Sequence, residues 1–366
     1  MPSTLGAQPK ENTMTTPLVN ETTTTTTAPT PQEQAGVLLS QVAGYVGHRT
    51  IAIGLRSGII AALAESATPV SAEDLADRLG YDDFYVSVWC RGALAAGVVR
   101  RTDHGFELAR HMATLLLAAD GPGFVGGLFP LVQQPEMFDR FEQRLGTGER
   151  MWWDETSPEW IAGVAATGRP FYSRLVPGGL DQVPGLADRL RAGCRVVDSA
   201  CGSGLGLVAL AEHYPACTVV GIDGDAHSVD AAADKVERAG VAERVSLVCS
   251  PLEEMRLDEP VTVVVNNISM HECRDIDAVT RRVRDMLEPG GWFVISDFPF
   301  PDNDDTLRSV PGRIMSGIQF FEAQIDDQLL PRTAYDELLT RHGFEDLGNF
   351  QLTPVHAVTY GRAPGR

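Results

Sequence analysis

A run of apolar residues leads into a turn of small residues in the stretch RVVDSACGSG, residues 195–204. The apolar residues before Asp198 predict a buried strand, and the small residues after it predict a turn where a ligand can approach the backbone closely. A helix is predicted over 205–214, and the free N–H groups at its start face the same ligand. The stretch therefore predicts a ligand-binding turn between a strand and a helix.

Beyond this turn the sequence alternates between predicted strands and helices. The further strands are predicted at 218–223, 242–248, 261–265 and 292–296, with a final pair near 346–351 and 356–360. Such alternation is typical of a parallel sheet covered by helices on both faces. The sequence predicts an α/β fold with a Rossmann-like, doubly wound sheet.

Composition and periodicity divide the chain into four predicted segments. Residues 1–32 are rich in threonine and are predicted to be a disordered tail. Residues 33–120 have helical spacing that ends in a short strand pair around His104, which predicts an all-α, winged-helix-like dimerisation domain. Residues 121–180 are predicted to be a helical bridging segment that lines the substrate site, and residues 181–366 to be the α/β domain.

The charge balance limits the partners of the chain. Asp and Glu number 49 against 30 Lys and Arg, a net charge of −19 that repels phosphate backbones and anionic lipids. No uncharged apolar stretch approaches the ~20 residues that cross a bilayer, and no secretory signal is recognised. The six cysteines have no CxxC spacing, which favours a reducing, cytoplasmic location and no metal site. We expect neither nucleic acid nor a membrane as partner.

Two acidic residues make a nucleoside ligand the best interpretation of the turn. Asp223 ends the second predicted strand, where a carboxylate can accept hydrogen bonds from both hydroxyls of a ribose. A dinucleotide-binding turn would read Gly-x-Gly-x-x-Gly, whereas the series that begins at Asp198 reads Asp-x-Ala-x-Gly-x-Gly. The pattern therefore favours a different nucleoside cofactor.

This series resembles the first motif of the class I S-adenosylmethionine (SAM)-dependent methyltransferases, an acid followed by alternating glycines. The resemblance implies SAM as the cofactor, with Asp223 on its ribose. Ala200 stands where the family has its first glycine, so we expect a slightly narrower turn. Leu252 is expected to pack on the adenine, and Glu253 is the alternative partner for the adenine amine. The cofactor residues implied in this way are Asp198, Ala200, Gly202, Gly204, Asp223, Leu252 and Asn267.

A second motif follows the fourth predicted strand and reads Met270-His271-Glu272. It is similar to the Leu-His-Asp of the small-molecule O-methyltransferases with a winged-helix N-terminal domain, in which the histidine is the catalytic base. His271 is therefore the predicted base, with Glu272 beside it, and Asp297 at the end of the next strand is predicted to orient the imidazole. Many relatives have a second acid farther on, but Pro331 occupies that place here.

Aromatic residues upstream of the α/β domain are candidates for the wall of a substrate site. Ordinary helical packing explains them equally well. The predicted substrate-lining residues are Trp153, Trp160, Phe171 and Tyr172, with Met315 on a predicted capping helix over 313–322. The resemblance then implies methyl transfer to an oxygen of a small, partly apolar acceptor such as an aromatic or polyketide-like secondary metabolite.

Three alternatives remain open at this point. The same fold could methylate a carbon or nitrogen, with Glu155, Glu159 or Glu272 as a carboxylate base. A winged-helix DNA-binding regulator is disfavoured by the acidic charge, and a relative that no longer methylates is the third alternative. Apolar residues over 34–63, together with the helix exchange usual in the family, predict a homodimer.

Overall fold

The computed structural model of the protein describes residues 28–151 and 155–365. Contacts divide the described residues into two compact units, one that ends at Val46 and one that begins at Gly47. The first helix, α1, spans Pro31–Arg56, and most of the predicted tail precedes the described residues. Within the described ranges, none of the helices is both long and apolar enough to cross a membrane.

Three helices and a hairpin follow α1. Helix α3 begins after Ser71, whose hydroxyl accepts a hydrogen bond from the Asp74 N–H at 3.0 Å, and it ends at Gly80 with φ +70°, as predicted. The antiparallel strands β1 and β2 form the predicted pair around His104. The bounds are α2 Ile59–Glu65, α3 Ala72–Leu79, α4 Asp83–Ala95, β1 Val99–Thr102 and β2 Gly105–Leu108.

The bridging segment consists of short helices and one long helix, α8. Its first turn is capped by Ser157, which accepts a hydrogen bond from the Trp160 N–H at 3.1 Å. The bounds are α6 Leu128–Leu131, α7 Asp139–Arg144 and α8 Pro158–Arg174, and helix α5, Met112–Leu117, ends the preceding segment. The last turn of α8 lies near the sheet, since the ring centres of Phe171 in this helix and of His356 in the sheet are 4.6 Å apart.

A seven-stranded sheet with the order β5-β4-β3-β6-β7-β9-β8 forms the centre of the second unit. The five strands β5, β4, β3, β6 and β7 are parallel to one another, and β9 runs antiparallel to its neighbours β7 and β8. The strands are β3 Arg195–Ser199, β4 Thr218–Asp223, β5 Val245–Cys249, β6 Val261–Asn267, β7 Leu287–Asp297, β8 Glu345–Thr353 and β9 His356–Arg362. This topology confirms the predicted α/β, doubly wound class.

Helices cover both faces of the sheet and bury two apolar clusters against it. One cluster is centred on Leu207 and Val294, and the other on Phe293 and Leu338. The helices are α9 Leu186–Ala192, α10 Leu205–His213, α11 Ala226–Arg238, α12 Ile276–Met286, α13 Asp304–Leu307, α14 Val310–Glu322 and α15 Arg332–Arg341. Chain order reverses between the adjacent strands β3 and β6, so their carboxyl ends flank the crevice where ligands bind in such sheets.

Candidate active site

His271 and Asp297 meet at the carboxyl ends of the adjacent parallel strands β6 and β7. Nδ1 of His271 lies 2.8 Å from Oδ1 and 3.0 Å from Oδ2 of Asp297. Since an ionised carboxylate only accepts hydrogen bonds, Nδ1 carries the hydrogen and donates it. The pairing fixes a hydrogen on Nδ1 and turns Nε2 to the opposite side of the ring.

The turn that presents His271 is strained. Ile268, just after β6, has φ +55°, a left-handed conformation that a β-branched residue rarely adopts. Its N–H donates to the Ser296 carbonyl at 2.7 Å, which ties the turn to β7. A single turn of 3-10 helix, Met270–Glu272, follows and buries the imidazole.

Asp297 is held by three donors besides the imidazole N–H. The Tyr335 hydroxyl donates to Oδ2 at 2.7 Å, the Phe298 N–H to Oδ1 at 2.8 Å, and the His271 N–H to Oδ2 at 3.3 Å. Burial would raise the pKa of Asp297, but the charge and hydrogen bond of His271 and the Tyr335 hydroxyl lower it below the usual range. The carboxylate is therefore ionised and rigidly placed.

Two glutamates flank Nε2 on the other side of the ring. Oε1 of Glu272 and Oε1 of Glu322 each lie 3.9 Å from Nε2. Nε2 itself is buried and has no hydrogen-bond partner among the described residues. Burial would lower the pKa of His271, yet Asp297 and Glu322 together raise it well above its ordinary value. Burial, and then the charge of Glu322, raises the pKa of Glu272.

A mostly apolar cavity of about 150 Å³ opens beside these polar groups. His271, Glu272 and Glu322 line one part of it, and Trp160, Phe171 and Phe298 are among its apolar walls. Arg174 also lines it: its guanidinium carbon lies 5.2 Å from the centre of the Phe171 ring, and its Nη1 is buried with no partner in the described part of the chain. An apolar wall with a few convergent polar groups is typical of a small-molecule site.

The turn between β3 and α10 has the backbone of a cofactor cradle. Gly202 and Gly204 have φ +48° and +81°, and the Gly202 N–H donates to Oδ2 of Asp223 at 2.8 Å. Ala200 has φ +59°, so an alanine occupies a left-handed position that favours glycine. A Cβ on Gly206 would lie 2.2 Å from Oδ2 of Asp198, so this helix position needs glycine.

Asp198 supports the fit of a cationic cofactor. Its side chain is fully buried, and both carboxylate oxygens lack hydrogen-bond partners within the described ranges. Burial, followed by the charge of Asp223, raises the pKa of Asp198 to about 8. A buried carboxylate of this kind is stabilised by a cation. The ammonium group of SAM supplies such a charge, while the ribose hydroxyls of SAM suit Asp223.

The other predicted cofactor residues lie at the same edge of the sheet. Leu252 is buried in a short 3-10 helix, Leu252–Glu254, after β5. Asn267 ends β6, and its buried side-chain amide has no partner within residues 28–151 and 155–365. Glu253 lies in the same short helix as Leu252. These positions agree with an adenine and methionine site that spans β3 to β6, which stays a prediction.

The predicted substrate residues separate into three groups. Trp160 and Phe171 line the cavity. Tyr172 lies beside Asp198. A Cβ built on Gly206 would be 2.3 Å from the Tyr172 ring and 2.2 Å from Oδ2 of Asp198, so the two side chains meet over this glycine. Met315 is buried and packs with Phe171 and Phe298 behind the cavity wall. Trp153 lies outside the described residues.

Sequence reasoning missed three residues of this region, namely Glu322, Tyr335 and Arg174. Glu322 ends α14 after two phenylalanines, and the single acid of a helix rich in apolar residues was the available signal. Many relatives have a second acid at the position that Pro331 occupies here. In this chain the carboxylate near the imidazole comes instead from Glu322 on α14. Tyr335 and Arg174 belong to α15 and α8 and had no motif to mark them.

Comparisons with known proteins identify the domain. Residues 196–291 match the family described as "Methyltransferase domain". The ribosomal protein L11 methyltransferase of Photobacterium profundum is 33% identical over 104 residues, which are 28% of this chain and 33% of that protein. The chain spans about a third to a half of the length of the first such relatives.

Solved structures match over most of the chain. An O-methyltransferase family protein from Burkholderia thailandensis has a TM-score of 0.67 at 17% identity, over 92% of this chain and 99% of that one. Human N-acetylserotonin methyltransferase in complex with SAM has a TM-score of 0.64 at 14% identity, over 93% and 100%. N,N-8-amino-8-demethyl-D-riboflavin dimethyltransferase from Streptomyces davawensis has a TM-score of 0.62 at 18% identity, over 92% and 100%.

The fold and the matched domain define the class of the protein. The chain carries a class I SAM-dependent methyltransferase domain, and SAM is the cofactor of that domain. Its fold is that of the small-molecule O-methyltransferases. The class inferred from the residues around Asp198 and Asp223 is confirmed.

Proposed function

We propose that the protein transfers the methyl group of SAM to an oxygen of a small, partly apolar acceptor bound in the cavity beside His271. The single observation that supports this most is the buried Nε2 atom, held toward Glu272 and Glu322 by the Asp297 hydrogen bond at 2.8 Å. An aromatic or polyketide-like secondary metabolite suits the apolar walls. The hydroxyl of such an acceptor would lie at the polar end, within reach of Nε2.

The residues of the chain supply alignment and proton removal. When bound, SAM supplies an electrophilic methyl group on a positively charged sulfur. The small-residue turn and Asp223 hold the cofactor, and the cavity orients the acceptor oxygen, which removes the entropy cost of a bimolecular encounter. A phenol has a pKa near ~10, so its proton must leave as the methyl group arrives. In its neutral form His271 takes that proton at Nε2, and the Asp297 and Glu322 carboxylates, which raise the pKa of His271, stabilise the imidazolium that forms.

Arg174 adds a preference within the same proposal. Its Nε donates to the Pro122 carbonyl at 2.6 Å, while Nη1 is buried without a partner among the residues described. A buried cationic donor is stabilised by a negatively charged or strongly polar oxygen. The preferred acceptor therefore has a carbonyl or carboxylate oxygen that can reach Arg174.

Transfer to a carbon or a nitrogen is the second candidate, and the two glutamates near Nε2 favour it. Negative charge at Glu322 would stabilise cationic character in the acceptor, and Glu272, whose pKa is raised to about 8, would add to this effect once ionised. Among the carboxylates predicted as alternative bases, Glu272 lines the cavity, whereas Glu155 lines a neighbouring one and Glu159 is exposed. The dimethyltransferase from Streptomyces davawensis is an amine-methylating enzyme by name.

Mass spectrometry of products formed from methyl-deuterated SAM tests the proposal. A panel of small phenols, enolisable ketoacids and aromatic amines would serve as acceptors, and fragmentation places the label on oxygen, carbon or nitrogen. His271→Ala should lower turnover by at least about a hundredfold with unchanged affinity for S-adenosylhomocysteine, whereas the exposed His104→Ala should leave turnover unchanged. A His271→Ala variant with full turnover, or label on carbon or nitrogen, would contradict oxygen transfer with His271 as base.

We also propose a homodimer that acts in the cytoplasm. Large apolar side chains of α1, including Leu38, Leu39 and Tyr45, are 64–70% exposed. All six cysteines are free thiols, which is usual in a reducing compartment. Light scattering after size exclusion should give twice the chain mass of 39.5 kDa, and a Leu38→Glu, Val42→Glu variant should give the monomer mass.

A further inference from the structure

We propose that Gly168 is a specificity-determining residue, which keeps the acceptor cavity deep enough for one six-membered ring. The acceptor class is then a phenol or enol with a single ring, and fused-ring compounds are excluded. This inference rests on the proposed function and deepens it, because it defines the size of the acceptor that His271 deprotonates.

One face of α8 forms a wall of the acceptor cavity. Residues three or four apart on a helix lie on the same face, and Val164, Gly168 and Phe171 have this spacing. The residues that α8 contributes to the cavity lining include Trp160, Val164, Thr167, Gly168, Phe171 and Arg174. A Cβ at position 168 would therefore project into the cavity between Val164 and Phe171.

Neither backbone conformation nor packing within the described chain accounts for a glycine at position 168. Gly168 lies inside α8 without a positive φ. Apart from the backbone of α8 itself, no described atom lies within 4 Å of an ideal Cβ on Gly168, whereas a Cβ on Gly163 would lie 3.0 Å from Cδ1 of Leu131. Glycine is the least favourable helix residue after proline. Position 168 therefore sacrifices helix stability and leaves open space in the cavity wall.

The open space over Gly168 adjoins the polar end of the cavity. Phe171 follows Gly168 by about one helical turn, and its ring centre lies 5.2 Å from that of Phe298. The ring centre of Phe298 lies 5.7 Å from that of His271. An acceptor ring over Gly168 is then next to these two phenylalanines, with its hydroxyl directed toward Nε2.

The volume of the cavity limits the acceptor to one ring. The cavity measures about 150 Å³, and an apolar cavity of roughly this volume holds one benzene molecule. A second fused ring has no room unless the walls move, and overpacking a filled cavity is unfavourable. A methyl group added at position 168 takes up part of the same volume.

Ligand-observed NMR titrations test this size limit without relying on turnover. The full-length protein is saturated with S-adenosylhomocysteine and titrated with phenol and with 2-naphthol. The larger apolar area of 2-naphthol gives it the higher affinity wherever space allows, because affinity grows with the apolar area buried. We expect the reverse order here, with phenol bound at least about fivefold more tightly than 2-naphthol.

Gly168→Ala should weaken phenol binding by at least about fivefold and leave the affinity for S-adenosylhomocysteine unchanged. The thermal midpoint should not fall, because alanine is the better helix residue. Gly317→Ala is the matched control, since Gly317 lies inside α14, is not among the residues that line the cavity, and its Cβ would make only an ordinary contact, 4.0 Å from Cε of Met137. It should leave phenol affinity unchanged.

A second substitution separates lost volume from a distorted helix. Val164 lines the cavity one helical turn before Gly168, and Val164→Ala removes two methyl groups there. Phenol affinity should return when Val164→Ala is added to Gly168→Ala. Val164→Ala alone should tighten the binding of 2-naphthol.

Three results would overturn the inference. Wild-type protein that binds 2-naphthol more tightly than phenol, or that binds no phenol, would contradict the single-ring class. Unchanged phenol affinity in Gly168→Ala would contradict the role of Gly168, and a loss that Val164→Ala does not relieve would assign the effect to helix distortion.

Labelled methyl transfer from SAM separates this inference from the proposed function. Size-limited phenol binding without methyl transfer to oxygen would support the ring site and contradict the proposed function. Oxygen methylation of 2-naphthol in preference to phenol would support the proposed function and contradict the size limit.

Discussion

The Tyr335 hydroxyl donates a 2.7 Å hydrogen bond to the Asp297 oxygen that also lies 3.0 Å from Nδ1 of His271. Tyr335 is on α15, so a helix from the far end of the chain positions the carboxylate that positions the imidazole. All three side chains are buried. The orientation of the ring therefore depends on contacts that span β6, β7 and α15.

Removal of this hydroxyl is expected to affect both stability and turnover. Tyr335→Phe leaves a buried, ionised carboxylate with one donor fewer and should lower the free energy of unfolding by about 1.5 kcal/mol or more. Turnover should fall while the KM for the acceptor stays constant, because Tyr335 is not among the residues that line the cavity. Urea denaturation and steady-state kinetics measure the two effects. Tyr81→Phe, which removes a hydroxyl that donates to the Ser57 carbonyl at an exposed position, should change either by little.

Replacement of Ala200 by glycine is expected to stabilise the protein. An alanine at φ +59° costs roughly 1–2 kcal/mol, and glycine costs about 0.5–1 kcal/mol in chain entropy. Ala200→Gly should therefore raise the free energy of unfolding by about 0.5–1 kcal/mol. The control Ala233→Gly, exposed on α11, should lower it by about 1 kcal/mol. Thermal and urea unfolding measure both, and a destabilised Ala200→Gly would show that the turn is not strained at this residue.

His356 is expected to make stability depend on pH. Its Nε2 lies 2.6 Å from Ser296 Oγ, and burial, together with the nearby charge of Arg174, lowers the pKa of His356 to about 3. The unfolded chain binds a proton near pH ~6.5 that the folded chain binds only near pH 3. This contribution to stability is complete above pH ~6.5 and declines as the pH falls, by about 2 kcal/mol between pH 7 and pH 5.

The measurement compares wild-type protein with His356→Gln in urea at both pH values. Other titrating groups contribute equally to the two proteins, so the difference isolates His356. The wild-type protein should lose about 2 kcal/mol more than the variant on going from pH 7 to pH 5. An equal loss in both proteins would mean that His356 is protonated in the folded state.

Arg174 is expected to determine acceptor affinity. Arg174→Met removes the buried donor at the cavity wall but keeps much of the side-chain volume, so the acceptor KM should rise by roughly tenfold or more. Affinity for S-adenosylhomocysteine should not change. Arg169→Met, on the same helix but paired with the exposed Asp120, is the matched control. An unchanged KM in Arg174→Met would show that the guanidinium does not contribute to acceptor binding.

The placement of several candidate site residues could be predicted from the sequence because these residues lie at or near strand ends. A parallel strand that ends in an acid places that acid at a known edge of the sheet, which is why Asp198, Asp223 and Asp297 could be placed there, whereas His271 was predicted from the resemblance of Met270-His271-Glu272 to a family motif. The register of β6 with β7 then brings His271 and Asp297 together. Local patterns were sufficient for this part.

The acceptor half could not be predicted in the same way. Glu322 and Arg174 reach the cavity because α14 and α8 pack over the sheet edge, and packing between distant elements leaves no local pattern. Tyr172 illustrates the limit, since successive residues on a helix point about 100° apart. Phe171 therefore enters the cavity, whereas its neighbour lies beside Asp198.

Phe171 and Tyr172 are neighbours in the last turn of α8, and through them this turn reaches both the acceptor cavity and Asp198. One helical turn lies beside both the acceptor cavity and the predicted cofactor site, so a ligand that orders it at one site would reduce the entropy lost at the other. We expect cofactor and acceptor to bind cooperatively, with bound S-adenosylhomocysteine tightening the acceptor. Thermodynamic reciprocity then requires the acceptor to tighten the cofactor by the same factor.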